Sequence, residues 1–84
     1  RMSRESIFEK LKEILVFADS RYAAAAETCT EATRVREDLG LNSAGMLYVL
    51  IAMEETFGPI FDDAAANTFA TIGDILDWIQ ERAG

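Results

Sequence analysis

The segment Asp38–Glu55, DLGLNSAGMLYVLIAMEE, sets a polar pair, Asn42-Ser43, at the mouth of a long apolar run that closes with two glutamates. Met46, Leu50, Met53 and Phe57 recur at intervals of four, three and four residues. That spacing returns side chains to one side of a helix, and Leu47 and Ile51 widen the stripe. An amphipathic helix with an unusually wide apolar face is therefore predicted from Ser43 to about Phe57. Asn42 or Ser43 is its natural cap, because a short polar side chain there can accept from the first unpaired N–H groups. Gly58-Pro59 ends it: glycine tolerates a left-handed terminus and proline cannot continue the ladder.

Upstream, Ile7, Leu11, Ile14 and Leu15 lie at helical spacing with Glu9, Lys10, Lys12 and Glu13 between them. A helix from about Arg4 to Asp19 is predicted, capped by Ser3 or Ser6. RYAAAAETCTEATRVRE, residues 21–37, reads as a long connection holding one turn of helix. Its alanines favour helix, its threonines weaken it, and its apolar face is thin. Val35 and Leu39 are the side chains expected to plug it into the core.

Downstream, FDDAAANTF, residues 61–69, reads as a short helix begun by Asp62-Asp63, whose charges suit a helix N-terminus. The last helix is TIGDILDWIQER, residues 71–82. Thr71 and Asp74 form the spacing of a capping box, Ile72, Ile75, Leu76 and Ile79 the buried stripe. With no convincing strand, the fold class is all-α: a small four-helix bundle, three main helices plus one short helix, with a long first connection. It is expected to form one domain over residues 1–84.

The chain has 84 residues, eight basic and fifteen acidic, for a formal charge of −7. A partner made of phosphate backbone selects clustered Lys and Arg, so nucleic acid is excluded, and an anionic membrane surface with it. No apolar run approaches a membrane span, and the N-terminal stretch is charged rather than signal-like. Cys29 is the single cysteine and histidine is absent, which leaves no internal disulfide and no metal site. The expectation is a cytoplasmic monomer that meets partners through their basic patches.

Helix signals alone favour Ser43 as a cap. A nucleophilic role needs a base oriented by a third group, and the chain has no histidine to serve. DLGLNSAG also lacks the paired glycines of a nucleophile elbow. A third reading is that another enzyme modifies the hydroxyl, since the positive end of a helix favours a phosphodiester.

EDLGLNSAGMLYVLIAMEETFG, residues 37–58, resembles the acyl carrier protein signature Asp-Leu-Gly-x-Asp-Ser-Leu, followed by the family's second helix with its acidic pair and Phe. The likeness continues without gaps to about Ile79. The resemblance implies that Ser43 receives 4′-phosphopantetheine from coenzyme A by way of a phosphopantetheinyl transferase. The thiol of that arm would hold acyl groups for acyl-loading and acyl-processing enzymes, so that catalysis lies with them and not with this chain. It further implies docking through Asp38, Asn42, Glu54, Glu55, Asp62 and Asp63, with Met46 and Tyr48 adding apolar contact where exposed; the competing reading is that the Met46 stripe is core. An acyl chain would be sheltered by Leu47, Ile51, Phe61, Phe69 and Ile75, the competing reading being that these residues fill the core. Asn42 stands where most fatty-acid carriers have Asp, and Ala44 where they have Leu. Gly45, Met46 and Tyr48 take positions that are often polar, so acid is displaced to the end of the helix. The expected function is a free-standing carrier in a specialised fatty-acid or polyketide-type pathway. An aminoacyl or peptidyl carrier and an unmodified helical adaptor are the alternatives.

Overall fold

A computed structural model describes residues 2–62 and 65–83. Four α-helices follow one another: α1, Arg4–Ala18; α2, Ala23–Thr28; α3, Ser43–Phe57; and α4, Ile72–Arg82. Single 3-10 turns occupy Ser20–Tyr22 and Ala65–Asn67. Among the described residues the only strand-like pairing is an isolated bridge between Arg34 and Thr71. The protein is an all-α bundle, and among the described residues no helix is long and apolar enough to cross a membrane.

The three long helices form where their periodicity places them. Ser3 caps α1 by accepting from the Ser6 N–H at 3.1 Å, and the helix buries Ile7, Leu11, Ile14 and Leu15. α4 starts with both halves of the capping box and buries Ile72, Ile75, Leu76 and Ile79. α3 turns Met46, Val49, Leu50 and Met53 inward. Together with Val35, Leu39, Leu41 and Phe69 these side chains make one continuous core.

The short helix lies elsewhere than expected. Residues 65–67 form only a 3-10 turn, capped by Asp62, whose carboxylate accepts from the Ala65 N–H at 2.8 Å. Asp63, named with it, lies outside the described residues. The short α-helix is instead α2, where a turn of helix was expected within the first connection. Alanine loses no side-chain entropy on entering a helix, and its small size lets α2 settle against α1 with Ala26 buried. A thin apolar face is enough when the approach is that close.

The rest of the connection is held by backbone and by plugs. Val35 N–H donates to the Ala70 carbonyl at 2.9 Å, Ile72 N–H to Thr33 at 3.0 Å, and Gly73 N–H to Glu31 at 2.8 Å. Val35, Leu39 and Leu41 are buried, as the sequence suggested for the first two. Arg4 adds a tie that the sequence did not reveal. Its guanidinium reaches Glu31 at 2.6 Å and Asp77 at 2.8 Å, joining α1, the connection and α4.

Asp74 gives the fold a pH signature. Its carboxylate accepts from the backbone N–H groups of Thr71 at 3.0 Å and Ala70 at 2.9 Å. Those bonds, Thr71's first, hold its pKa below the usual carboxylate value. Because the folded pKa is lowered, the stabilisation is complete above the unfolded value of about 4 and is lost as pH falls through the folded one. Asp74→Asn is expected to cost about 1 kcal/mol at neutral pH, the scale of a lost cap bond. The deficit should shrink toward zero in strong acid, measured by urea unfolding of both proteins across pH. A deficit independent of pH would show that the charge is not what the backbone binds.

Candidate functional site

The segment before α3 fixes where Ser43 sits. Residues 34–41 wind back on themselves, with the N–H groups of Asp38 and Leu39 on the Arg34 carbonyl at 3.0 and 3.1 Å. Gly40 takes a φ of 75°, where a side chain would be strained, and lets the chain reverse. Buried Leu41 then anchors it. Asn42 is extended, and its Oδ1 accepts from the Gly45 N–H at 2.8 Å while its carbonyl accepts from Met46 at 2.8 Å. Asn42 is the cap. Ser43 is the first residue of the helix and is exposed, and among the described residues its hydroxyl has no hydrogen-bond partner.

Gly45 explains why the turn can pack so tightly. A Cβ there would lie 3.1 Å from Leu41 Cδ2, 3.4 Å from Asn42 Oδ1 and 3.6 Å from Tyr22 Oη. Glycine lets the capping side chain and the start of the bundle close over this end of α3. Ala44, next to Ser43, is small and exposed.

Beside Ser43 runs an open groove of about 240 Å³. One wall is α3, presenting Leu47, Leu50 and Ile51, with Met46 as floor; Phe61 stands opposite. Arg36, Glu54, Asp62 and Asn67 complete the rim. Phe61 is held by an aromatic cluster: it stacks on Trp78 at 6.4 Å and meets Phe69 edge-on at 6.1 Å. Trp78 donates its indole N–H to the Ile60 carbonyl at 2.7 Å, and Arg82 covers its ring at 3.4 Å. The sequence reading passed over Trp78. A lone Trp on a buried stripe, obliged to satisfy its N–H, was the available signal.

The expected site residues divide. Leu47, Ile51 and Phe61 do line the groove, with Leu47 and Ile51 more than half exposed at 55% and 51%. Phe69 and Ile75 do not: Phe69 backs the wall and Ile75 lies in the core. Met46, expected to contact partners, is 4% exposed and belongs to the core, because its side of α3 faces inward. Tyr48 is exposed. Asp38 is not a free steering charge. Arg34 donates to it from its backbone N–H at 2.8 Å and from its guanidinium at 3.2 Å, which holds the carboxyl below its usual pKa. Glu54 turns partly inward, accepting from the Phe61 N–H at 3.4 Å, while Glu55 and Asp62 face solvent. Cys29 is half-buried, and that burial pushes its thiol pKa up, leaving it protonated and poorly nucleophilic.

A small acidic helical bundle that presents an unused hydroxyl beside an apolar groove is the architecture of a carrier domain. Comparison with known proteins agrees. The family described as "phosphopantetheine attachment site" matches residues 23–79. The acyl carrier protein of Thermotoga maritima is 32% identical over 82 residues, covering 98% of each chain. That of Onion yellows phytoplasma is 36% identical over 76 residues, 90% of this chain and 96% of its own. That of Lactobacillus acidophilus is 30% identical over 83 residues, 99% of this chain and all of its own. The chain belongs to the acyl carrier protein family. It is a carrier whose cofactor is covalent 4′-phosphopantetheine, and membership of the family implies interaction with a transferase and acyl-processing enzymes.

The residues at the mouth of α3 fit that group. The helix end offers unpaired N–H groups and a positive dipole to a phosphodiester, and capping does not occupy the serine. The division of labour is testable by stability alone. Asn42→Ala is expected to lower unfolding free energy by about 1 kcal/mol, the usual cost of a lost cap. Ser43→Ala should change it by no more than about 0.5 kcal/mol, as for an exposed side chain without partners. Denaturant curves for the two variants give the answer, and equal losses would mean that both side chains share the cap.

Proposed function

We propose that Ser43 is the residue that carries the arm, and that the protein presents acyl groups to enzymes of a fatty-acid or polyketide-type pathway. The observation that carries this reading is the exposed Ser43 hydroxyl, unpaired among the described residues, beside a cap supplied by its neighbour. When bound, the arm supplies a thiol that holds an acyl group as a thioester. The chain's own contribution is position. Asn42 and the Gly40 turn hold the attachment oxygen at a fixed helix end, and Leu47, Ile51 and Phe61 offer an apolar surface beside it.

The groove is shallow and open, so a long acyl chain would be covered along one side and not enclosed. Partners dock on the outer side of α3. Leu47, Tyr48 and Ile51 supply apolar contact there, while Glu55 and Asp62, with Glu54 beside them, supply charge for a basic patch. Asn42 faces the same approach as the cap. The acidic surface and single buried-side thiol suit a cytoplasmic monomer.

Incubation of the apo protein with coenzyme A and a broad-specificity phosphopantetheinyl transferase tests this reading. Intact mass should rise by one arm, peptide mapping should place it on Ser43, and Ser43→Ala should not load. In the same assay, Glu54→Lys with Glu55→Lys should slow loading at low salt and little at high salt, since rim charges act over about 8–10 Å. A wild-type protein that stays unloaded beside a loaded control would sink the carrier reading. A mass gain on another residue would sink the assignment to Ser43.

A further inference from the structure

We propose that Arg36 holds the phosphodiester of the arm, a positioning role that rests on Ser43 being the attachment residue. The first observation is a census of charge. In a chain with fifteen acidic residues against eight basic ones, carboxylates should find every cation. Nearly all do so. Arg4 pairs with Glu31 and Asp77, Lys10 with Glu13 and Lys12 with Glu9. Arg21 pairs with Asp19, Arg34 with Asp38 and Arg82 with Glu81. Among the described residues Arg36 alone of the Lys and Arg side chains has no such partner, although Glu37 is its neighbour in sequence.

The second observation is place. Arg36 and Ser43 line the same groove, brought together by the turn over 34–41. The other charged groups of that groove, Glu54 and Asp62, are acidic and repel a phosphate. An anion esterified at Ser43 therefore meets one cation and two carboxylates in its surroundings, and the favourable position is toward Arg36. Guanidinium is the suitable cation, permanently charged and with a planar fork that matches two phosphate oxygens. Pairing between exposed groups is weak when they must find each other in solution. Here the phosphate would be bonded to the domain, so its effective concentration at Arg36 is high and a weak pair is populated. The consequence is that the arm leaves Ser43 along the groove, past Leu47 and Phe61, in place of sweeping freely through solvent.

The test uses holo protein with a free thiol, so that no carboxylate of a cargo can account for the result. Side-chain Nε–Hε spectra of the arginines should show Arg36 shifting between apo and holo forms while Arg21 stays still. The 31P resonance of the holo protein should move as salt rises from about 0.01 M to about 1 M, which shortens screening from about 30 Å to about 3 Å. In Arg36→Gln that salt response should fall at least two-fold, and in Arg36→Lys it should be retained in part. Far-UV circular dichroism of the variants should match wild type, since Arg36 is exposed. Loading at Ser43 with Arg36 signals unmoved, or a 31P response unchanged by Arg36→Gln, overturns this proposal alone. Failure to load Ser43 overturns the attachment reading, and this one with it.

Discussion

One hydrogen bond organises the functional end of this protein: the Asn42 side chain accepting from the Gly45 N–H at 2.8 Å. A helix must satisfy its first N–H groups, and the residue that does so cannot offer the same oxygen to chemistry. By taking the capping role one position earlier, Asn42 leaves Ser43 inside the first turn, exposed and chemically unspent. The features around it serve that arrangement. Gly40 allows the reversal, Leu41 anchors it, and Gly45 gives the capping side chain room. Asn replaces the family's usual Asp here and still caps, because either carbonyl oxygen can accept the bond. The exchange removes a charge and keeps the geometry.

The same helix has to be core on one side and contact surface on the other. Met46, Val49, Leu50 and Met53 close the bundle, and Leu47, Tyr48 and Ile51 remain outside beside Ser43. An exposed apolar strip of this kind is a cost for a lone domain and is expected where partners dock. The aromatic cluster of Phe61, Phe69 and Trp78 gives the facing wall its rigidity. Arg82 over Trp78 and Glu54 under the Phe61 N–H secure the segment between α3 and α4. A carrier depends on such fixed presentation.

Much of this was legible in the sequence. The 3.6-residue periodicity located α1 and α3 almost to the residue, and Thr71 with Asp74 marked the start of α4. The serine was conspicuous through the motif around it. Other features were hidden for physical reasons. The stripe of α3 is so wide that the pattern, which set Met46, Leu50 and Met53 on one side, could not say that Leu47 and Ile51 at its margin stay outside while Val49 turns in. α2 was legible only as one turn of helix, because the burial of its alanines depends on close approach and leaves no periodic mark. Ile75, placed on the buried stripe of α4 and also named as acyl-chain lining, is core alone. The ion pairs of Arg4, which join residues 27 and more positions apart, have no local signature at all.

The capping claim has a direct measurement: amide hydrogen exchange at Gly45 in the apo protein and after the arm has been attached. With Asn42 as the cap, the Gly45 N–H keeps its partner whatever is esterified to Ser43, and its protection should be the same in both forms. If protection at Gly45 collapses on attachment while the rest of α3 is unchanged, the serine oxygen was satisfying that N–H. The separation of cap from attachment point would then be wrong.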